Sequence, residues 1–530
     1  MTVLFTLMLP TVIIPLVGLG VDATMLYIVQ ARLSAAADGA ALGAGRLLGT
    51  PADPAEIAGE FLTANFRADG TPGFWGATNL QKTVNVTIGV TKIIRINATA
   101  DVPLLFSRIF GRPTATVSAS AIATKKDTRL VLVIDRSGSM NTSDGNGSTV
   151  IADVKTFAQG FAQKFTGGSD ELGLVVFDGS GVVGYPTSRP WTTTVSASGG
   201  PDTSFEDGTS SDMIHQIANI SAANGTGMAD ALWLAYIELQ RAHLRDLARD
   251  GTDLRQNSIV LFTDGVPTGI SMYLNNPANS NANNVIKSSS SCSNKTITLG
   301  TQEDSNHMML AWMSLGGTPP FSTSSGNPWG MYLLASTDTT SAHTASWWMS
   351  NGGSDATDPN NASTVYAGCT SLYNHGPNSN FTTYVGKIPG IDRYGNATTG
   401  SGYRNSHITG GSTSSVYNGT DLDLNREDVD YHWGLAIWNT VDNAANNIRN
   451  DSNLGNRAGD TQNMKIQIFT IGYTGNGGCD DGLLKRVAND PSSSSFSTTQ
   501  QRGHYYSASD SDGLAAAFAQ VASSMLRLSQ

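Results

Sequence analysis

Asp135, Ser137 and Ser139 stand in the pattern D-x-S-x-S, directly after the apolar run LVLVI. One carboxylate and two hydroxyls, spaced two residues apart where a strand ends and the chain turns, can converge on a single point. The carboxyl end of a parallel strand is also where open α/β sheets bind ligands. The pattern alone is common, so its weight comes from two further donors in order. Thr226 lies in NGTGMADAL, just ahead of a run that places Leu232, Ala235, Tyr236 and Leu239 on one helical face, and Asp264 ends the apolar run SIVLFTD. Two carboxylates and three hydroxyls form an all-oxygen donor set. Such a set suits a hard divalent cation, Mg2+ first and Mn2+ or Ca2+ as alternatives, and does not suit zinc.

Other chemistry finds less support. The eight histidines show no HExxH spacing, and the chain has neither G-x-S-x-G nor a P-loop; the turn RSGSM lacks a following Gly-Lys-Ser/Thr. The segment DLDLNREDVDYH offers Asp421, Asp423 and Asn425 at calcium-loop spacing, but Arg426 stands where that loop needs Gly and His432 where it needs Glu. It reads better as an acidic helix start, capped by Asp423 or Asn425, with Leu435, Trp438, Val441, Ala445 and Ile448 as its core face. Asp355, Asp358 and Asn360 form a weaker cluster. No nucleophile–base pair or paired carboxylates mark an enzyme, so no catalytic residues are assigned.

The elements that must position the metal donors alternate. A strand ending at Asp135 is followed by a helix over 150–165, a strand over 172–177, a helix over 227–247, a strand over 258–265, a strand over 464–473, a short strand HYYSA and a last helix with Leu514, Phe518, Val521, Met525 and Leu528 on one face. Strands alternating with helices predict a doubly wound α/β domain with a parallel sheet. Residues 270–424 interrupt it. They are poor in charge and rich in Asn, Ser, Gly and Thr, yet keep Trp312, Trp329, Trp347 and Trp348. A structureless loop of this length is anomalous in a compact domain, so an inserted, mostly β or irregular subdomain is expected.

Composition bounds the rest. At roughly 150 residues per domain, 530 residues imply about three units. The net charge of −11, without a Lys/Arg run, argues against a nucleic-acid binder. Charged residues make up 14% and glycines number 57, which points to long polar loops, while 39% hydrophobic residues suffice for ordered cores. Three cysteines exclude a disulfide framework, a four-cysteine zinc site and an iron–sulfur protein.

The amino end is different in kind. Val3 to Val21 carries no charge and is just long enough to span a bilayer, with Pro10 and Pro15 tolerable in a membrane helix. An Ala-rich helix continues it, with Leu26, Leu33, Ala37, Ala40 and Ala44 at helical spacing and Gly39 and Gly43 suited to close helix contact. A membrane anchor is the expectation; a cleaved signal peptide lacks its basic leader. From Lys82 the period turns to two, giving two strands with Val84, Val86, Ile88 and Val90 on one face. VPLLFSRIFG reads as a short amphipathic helix and TATVSASAIAT as a third strand, with a polar hinge over 125–128.

This amino-terminal stretch, with QARLSAAADGAALGAGR and VPLLFSRIFGRPTATVSASAIA, resembles TadG-like proteins of the Flp (Tad) pilus assembly system. The D-x-S-x-S, Thr226 and Asp264 elements, with IQIFTIGY and YYSASDSDGLAAAFAQVASSM, resemble the von Willebrand factor type A domain and its metal-ion-dependent adhesion site. That resemblance implies direct metal binding by Ser137, Ser139 and Thr226, water-mediated binding in part by Asp135 and Asp264, and one position left for a partner's carboxylate. The expected organisation is a membrane-spanning and pilin-like helix (1–48), a small pilin-like α+β domain (49–124), a type A domain in two parts (129–269 and 425–530) and an inserted aromatic-rich subdomain (270–424).

The implied protein is a pilus-associated surface protein, a minor pilin or assembly factor, binding a protein ligand or surface receptor through the metal and other pilins through its amino-terminal helix. It would be anchored in the inner membrane with its carboxyl-terminal domains outside the cytoplasm, or carried on the pilus. A membrane-bound regulatory scaffold of the secretion machinery is the alternative, and a hydrolase housed in the insertion a more distant one. Arg32 and Arg46 follow the span and no basic residue precedes it, so literal use of the positive-inside rule would leave the bulk in the cytoplasm. The resemblance favours the outside, and a short Lys/Arg-containing stretch is expected upstream in frame. Cys292 and Cys369 are expected to pair, with Cys369–Cys479 as the rival pairing. Both ends of the insertion should emerge at the metal-bearing edge of the sheet, so that the insertion shares the ligand surface.

Overall fold

The structure is a computed structural model that describes residues 14–48, 52–66, 74–89, 91–179, 181–186, 199–222, 225–272, 392, 394–398, 429–450, 463–475 and 478–525, with short strands at 284–286, 297–299, 307–312, 331–335, 387–388 and 422–423. The chain divides into two units, the first of Met1–Asp127 with Met525–Gln530 and the second of Thr128–Ser524.

In the first unit, helix α1 (Ile14–Gly45) places Val29, Leu33, Ala36, Ala37, Ala40, Ala41 and Ala44 in a buried stripe at three- and four-residue steps. The stripe packs on α2 (Pro54–Phe66) and on an antiparallel sheet of β1 (Thr78–Thr87), β2 (Thr91–Pro103) and β3 (Thr114–Lys126) in the order β1-β2-β3. Every second residue of β2 from Ile94 to Val102 is buried, as a sheet with one core-facing side requires. Gly43 receives the Phe61 ring of α2, which would lie 3.2 Å from a Cβ at that position, so the small-residue pair serves a contact within the unit. From Pro15 onward α1 is, among the described residues, the helix long and apolar enough to cross a membrane.

Three expectations need correction here. Strand β1 ends at Thr87 and Ile88 is exposed in the turn, because the hairpin reverses there; Val90 lies outside the described residues. The run VPLLFSRIFG forms a single 3-10 turn over Ser107–Phe110, because Pro103 and Pro113 bracket it too closely for a longer helix. The polar hinge shrinks to Asp127, since β3 runs on to Lys126 and the next strand starts at Thr128.

The second unit is built on a six-stranded sheet. Its strands are β4 (Thr128–Asp135), β5 (Glu171–Phe177), β6 (Gly181–Tyr185), β7 (Gln256–Thr263), β15 (Gln467–Tyr473) and β16 (Tyr505–Ala508), ordered β16-β15-β7-β4-β5-β6. All neighbours are parallel except β6, an antiparallel edge hairpin on β5. The central strands are buried on both faces, as parallel strands between helical layers are. One face is covered by α5 (Met228–Asp250), α6 (Val429–Arg449) and α7 (Asp481–Ala488). On the other, Phe161 of α3 (Val150–Ala162) and Phe262 of β7 both pack on Phe518 of α8 (Ser511–Met525); α4 (Met213–Ala218) packs beside α3.

Between β7 and α6 the described part of the insertion holds β8 (Gly269–Met272), β9 (Asn284–Ile286), β10 (Ile297–Leu299), β11 (His307–Trp312), β12 (Met331–Ala335), β13 (Lys387–Ile388) and β14 (Leu422–Asp423), all paired antiparallel. Helix α5 departs from the single core face expected of it: every residue from Met228 to His243 is buried. Its outer side is covered by α6 and by Tyr394, whose ring lies 6.2 Å from that of Trp233.

The amino edge of this sheet carries a buried charge cluster. Arg129 donates to Glu171 at 2.7 Å, to Asp253 at 2.6 Å and to the Asn257 side chain at 3.1 Å, and also pairs with Asp246. His243 lies 2.7 Å from Asp253 through Nδ1. Burial raises the Asp253 carboxyl, but the His243 hydrogen bond and Arg129 outweigh it and hold the group at about 2, below the usual carboxylate range. A carboxyl lowered in the native state contributes stability that is present above its unfolded pKa and is lost as pH falls through the native one. That contribution is about 2 kcal/mol, and urea unfolding should show it vanish between about pH 4 and pH 2. Asp253→Asn should lack this part of the acid loss; an acid profile identical to the parent's would refute the assignment.

Candidate metal centre

Asp135 is the last residue of β4 and wholly buried. Its Oδ1 accepts the Ser137 N–H at 2.7 Å and its Oδ2 the Thr263 hydroxyl at 2.6 Å, so both oxygens are held. The Ser137 and Ser139 hydroxyls lie 3.0 Å apart, and both reach Asp264 Oδ1, at 3.2 and 2.8 Å. Thr226 arrives from the loop ahead of α5: a Cβ built on Gly265 would stand 3.5 Å from Thr226 Oγ1 and 3.9 Å from Ser139 Oγ. All five residues singled out in the sequence therefore come together at the carboxyl edge of β4 and β7. Ser137, Thr226 and Asp264 are buried while Ser139 is exposed, so the cluster opens to solvent on the Ser139 side.

Burial, and then the neighbouring Asp264 carboxylate, push the Asp135 carboxyl well above the usual range, against hydrogen bonds from Thr263 and Ser137 that lower it. Two buried like charges beside three hydroxyls are a donor set that a divalent cation would satisfy. Among the described residues, no group of three or more His, Cys, Asp or Glu could hold a metal.

Residues not singled out in the sequence frame the site. Arg136, between two of the donors, turns away and pairs with Asp178 at 2.9 Å while donating to the Ser221 carbonyl at 3.1 Å. It thereby ties the end of β5 to the loop that leads to Thr226. The signal was present, because Asp178 ends the apolar run LGLVVF just as Asp135 and Asp264 end theirs. Thr226 itself is held by its N–H on the Thr268 hydroxyl at 2.8 Å and by its carbonyl, which accepts the N–H groups of Thr268 and Gly269 at 2.8 and 3.1 Å. The chain that follows β7 thus passes beside Thr226 at Thr268 and Gly269.

Gly227 donates its N–H to the Asp178 carbonyl, and a Cβ there would overlap the Gly179 carbonyl. Gly227→Ala must move the loop that carries Thr226. Mg2+ affinity in calorimetry is expected to fall about tenfold or more, the scale on which displaced supporting groups act. An unchanged affinity would show that Thr226 is not held through this contact.

The weaker candidates fare differently. Leu422–Asp423 pairs as a strand with Lys387–Ile388, and the described part of α6 runs over Val429–Arg449. Trp438, Val441, Ala445 and Ile448 are buried as expected. Asp355, Asp358, Asn360, Asp421, Asn425, Arg426, Cys292 and Cys369 lie outside the described residues. Cys479 is a free, half-buried thiol that burial, with Asp481 nearby, pushes up to about 12.

With this geometry in view, comparison places the fold. Residues 130–266 match the model of the von Willebrand factor type A domain, so the second unit carries a domain of that class. Residues 1–47 match the model of the putative Flp pilus-assembly TadE/G-like family. The two matches together are those of a TadG-like Flp pilus-assembly protein carrying a von Willebrand factor type A domain. A search of curated proteins finds no match.

Solved structures that match this chain include the pilus adhesin SpaC from Lactobacillus rhamnosus GG, 12% identical over 87% of this chain and 36% of its own, with a TM-score of 0.33. The von Willebrand factor domain of a type V pilus tip protein from Porphyromonas gingivalis is 14% identical over 77% of this chain and 98% of its own, with a TM-score of 0.30. A third is proximal thread matrix protein 1 of the mussel byssus, solved with zinc in its MIDAS motif; it is 16% identical over 27% of this chain and 30% of its own, with a TM-score of 0.18. The chain spans about a third of the length of the first and third of these.

Proposed function

We propose that Asp135, Ser137, Ser139, Thr226 and Asp264 hold a divalent cation, Mg2+ first, and that the protein uses it to bind a carboxylate of a partner protein or surface receptor. The observation that carries this reading is the convergence of the Ser137 and Ser139 hydroxyls on Asp264 Oδ1, with Asp135 fixed behind them. The cation would supply a positive centre for an anionic partner group. The chain's own residues orient the donors: Thr263 and the Ser137 N–H hold Asp135, and Thr268 holds Thr226. Joined to a pilus-assembly amino terminus with an apolar helix, this makes the protein a membrane-anchored or pilus-borne adhesin or assembly factor, with its type A domain outside the cytoplasm.

The test uses cells that display the protein. Attachment should occur in Mg2+, be reversed by EDTA and be lost on deletion of the gene while pili persist. Loss of pili with the deletion would favour the assembly or scaffold role, and attachment indifferent to EDTA would overturn the metal-bridged mode.

A further inference from the structure

We propose that the β2–β3 turn, residues 103–113, is a second membrane contact, an interfacial loop that seats its apolar tip among phospholipid headgroups beside α1. The proposal rests on the reading of the amino-terminal helix as a membrane anchor.

Leu105, Ile109 and Phe110 stand exposed on this one turn, at 61, 78 and 63%. Surface turns are ordinarily polar, and three large apolar side chains at one tip form a patch that calls for a covering phase. The tip is not loosely attached. Asp22 of α1 accepts the N–H groups of Leu105, Phe106 and Ser107 at 2.9, 3.2 and 2.7 Å and the Ser107 hydroxyl at 2.8 Å. The Phe106 ring lies so close to Gly18 that a Cβ there would overlap it. The turn is therefore clamped to α1 between Gly18 and Asp22, where the uncharged run Val3–Val21 ends.

Three features name the bilayer as the occupant. The patch is continuous with the apolar helix, since Trp75, itself 52% exposed, lines one surface with Val17, Val21, Met25 and Leu105. A tryptophan at this level is typical of the membrane–water interface. Arg108 and Arg112 are exposed on the turn beside the apolar tip, where guanidinium groups meet lipid phosphates. Finally, Asp22 has its oxygens occupied by hydrogen bonds, which is the condition for a carboxylate placed near the hydrocarbon.

The experiment uses the full chain with Cys292, Cys369 and Cys479 replaced by serine. One cysteine is introduced at a time, as Ile109→Cys, Leu16→Cys or Ile88→Cys, and labelled with the fluorophore NBD. The protein is reconstituted in phosphatidylcholine–phosphatidylglycerol vesicles containing lipids with a nitroxide at a shallow or a deep acyl position. The Ile109 label should be quenched by the shallow nitroxide, the Leu16 label by either, and the Ile88 label, on the opposite turn, by neither. Arg108→Ser with Arg112→Ser should lower quenching at Ile109 by about twofold or more without changing it at Leu16.

Quenching at Leu16 with none at Ile109 overturns the proposal and leaves the anchor standing. Quenching at neither removes the anchor and the proposal with it. A blue-shifted Ile109 label that ignores nitroxide lipids but responds to protein density assigns the turn to contact between copies of the chain, which also overturns the proposal.

Discussion

Asp135→Ala is expected to lower Mg2+ affinity by more than about 100-fold, beyond the range seen for outer-shell changes, while the type A domain stays folded. The substitution removes a buried carboxylate that faces Asp264, and that relief favours the folded state. It also leaves the Ser137 N–H without its acceptor and the Thr263 hydroxyl with only the longer contact to the Gly265 carbonyl, at a cost of about 1–3 kcal/mol. These terms oppose, so the melting temperature in EDTA should move little. Added metal separates the proteins. At Mg2+ near 100 times its dissociation constant the parent gains about 2.7 kcal/mol of stability, and the variant gains less than about 0.4 kcal/mol. Calorimetry and a thermal melt with and without Mg2+ check both halves. Undiminished Mg2+ affinity in the variant would remove Asp135 from the site.

Arg129→Met should be the most destabilising single change in the domain. Its guanidinium is fully buried and serves Glu171, Asp246 and Asp253 at once. Methionine fills much of the volume but leaves three buried carboxylates without their main counter-charge, and breaking a buried pair from one side costs about 3–5 kcal/mol. Urea unfolding at neutral pH should show that loss. Because Arg129 begins β4 and the metal donors follow its other end, Mg2+ affinity measured well below the unfolding transition should be unchanged. A stability loss under about 1 kcal/mol would mean that Arg245 and Arg255, which also reach this cluster, carry the compensation.

The sheet and the convergence of the five oxygen-bearing side chains were legible because both rest on local sequence. A buried parallel strand is an apolar run, and the carboxylate at its carboxyl end closes it, as at Asp135 and, one residue after Thr263, at Asp264. What escaped depends on partners distant in sequence. The all-round burial of α5 follows from a layer supplied by α6 and Tyr394, which its own periodicity cannot announce. The edge strand β6, GVVGY, is short and glycine-rich, and gains its order from pairing with β5. The Arg136–Asp178 pair joins the ends of two strands 42 residues apart, and nothing in either strand alone requires it. Asp22 was unremarkable as a lone acid after an apolar run. Its role appears only when the β2–β3 turn is folded back onto the helix.

The position of β4 in the sheet also has a mechanical meaning. The polypeptide enters this strand at Thr128, and the metal donors begin at its far end, Asp135. β4 is central, laddered to β7 through residues 128–134 and to β5 through residues 129–135. For an adhesin held by its amino-terminal side and tugged through the cation, the pull therefore runs along a strand gripped on both flanks. Its hydrogen bonds would then have to rupture together in shear instead of opening one after another like a zipper. A tether that loads its strongest geometry before any peripheral element yields is suited to surviving flow at a cell surface.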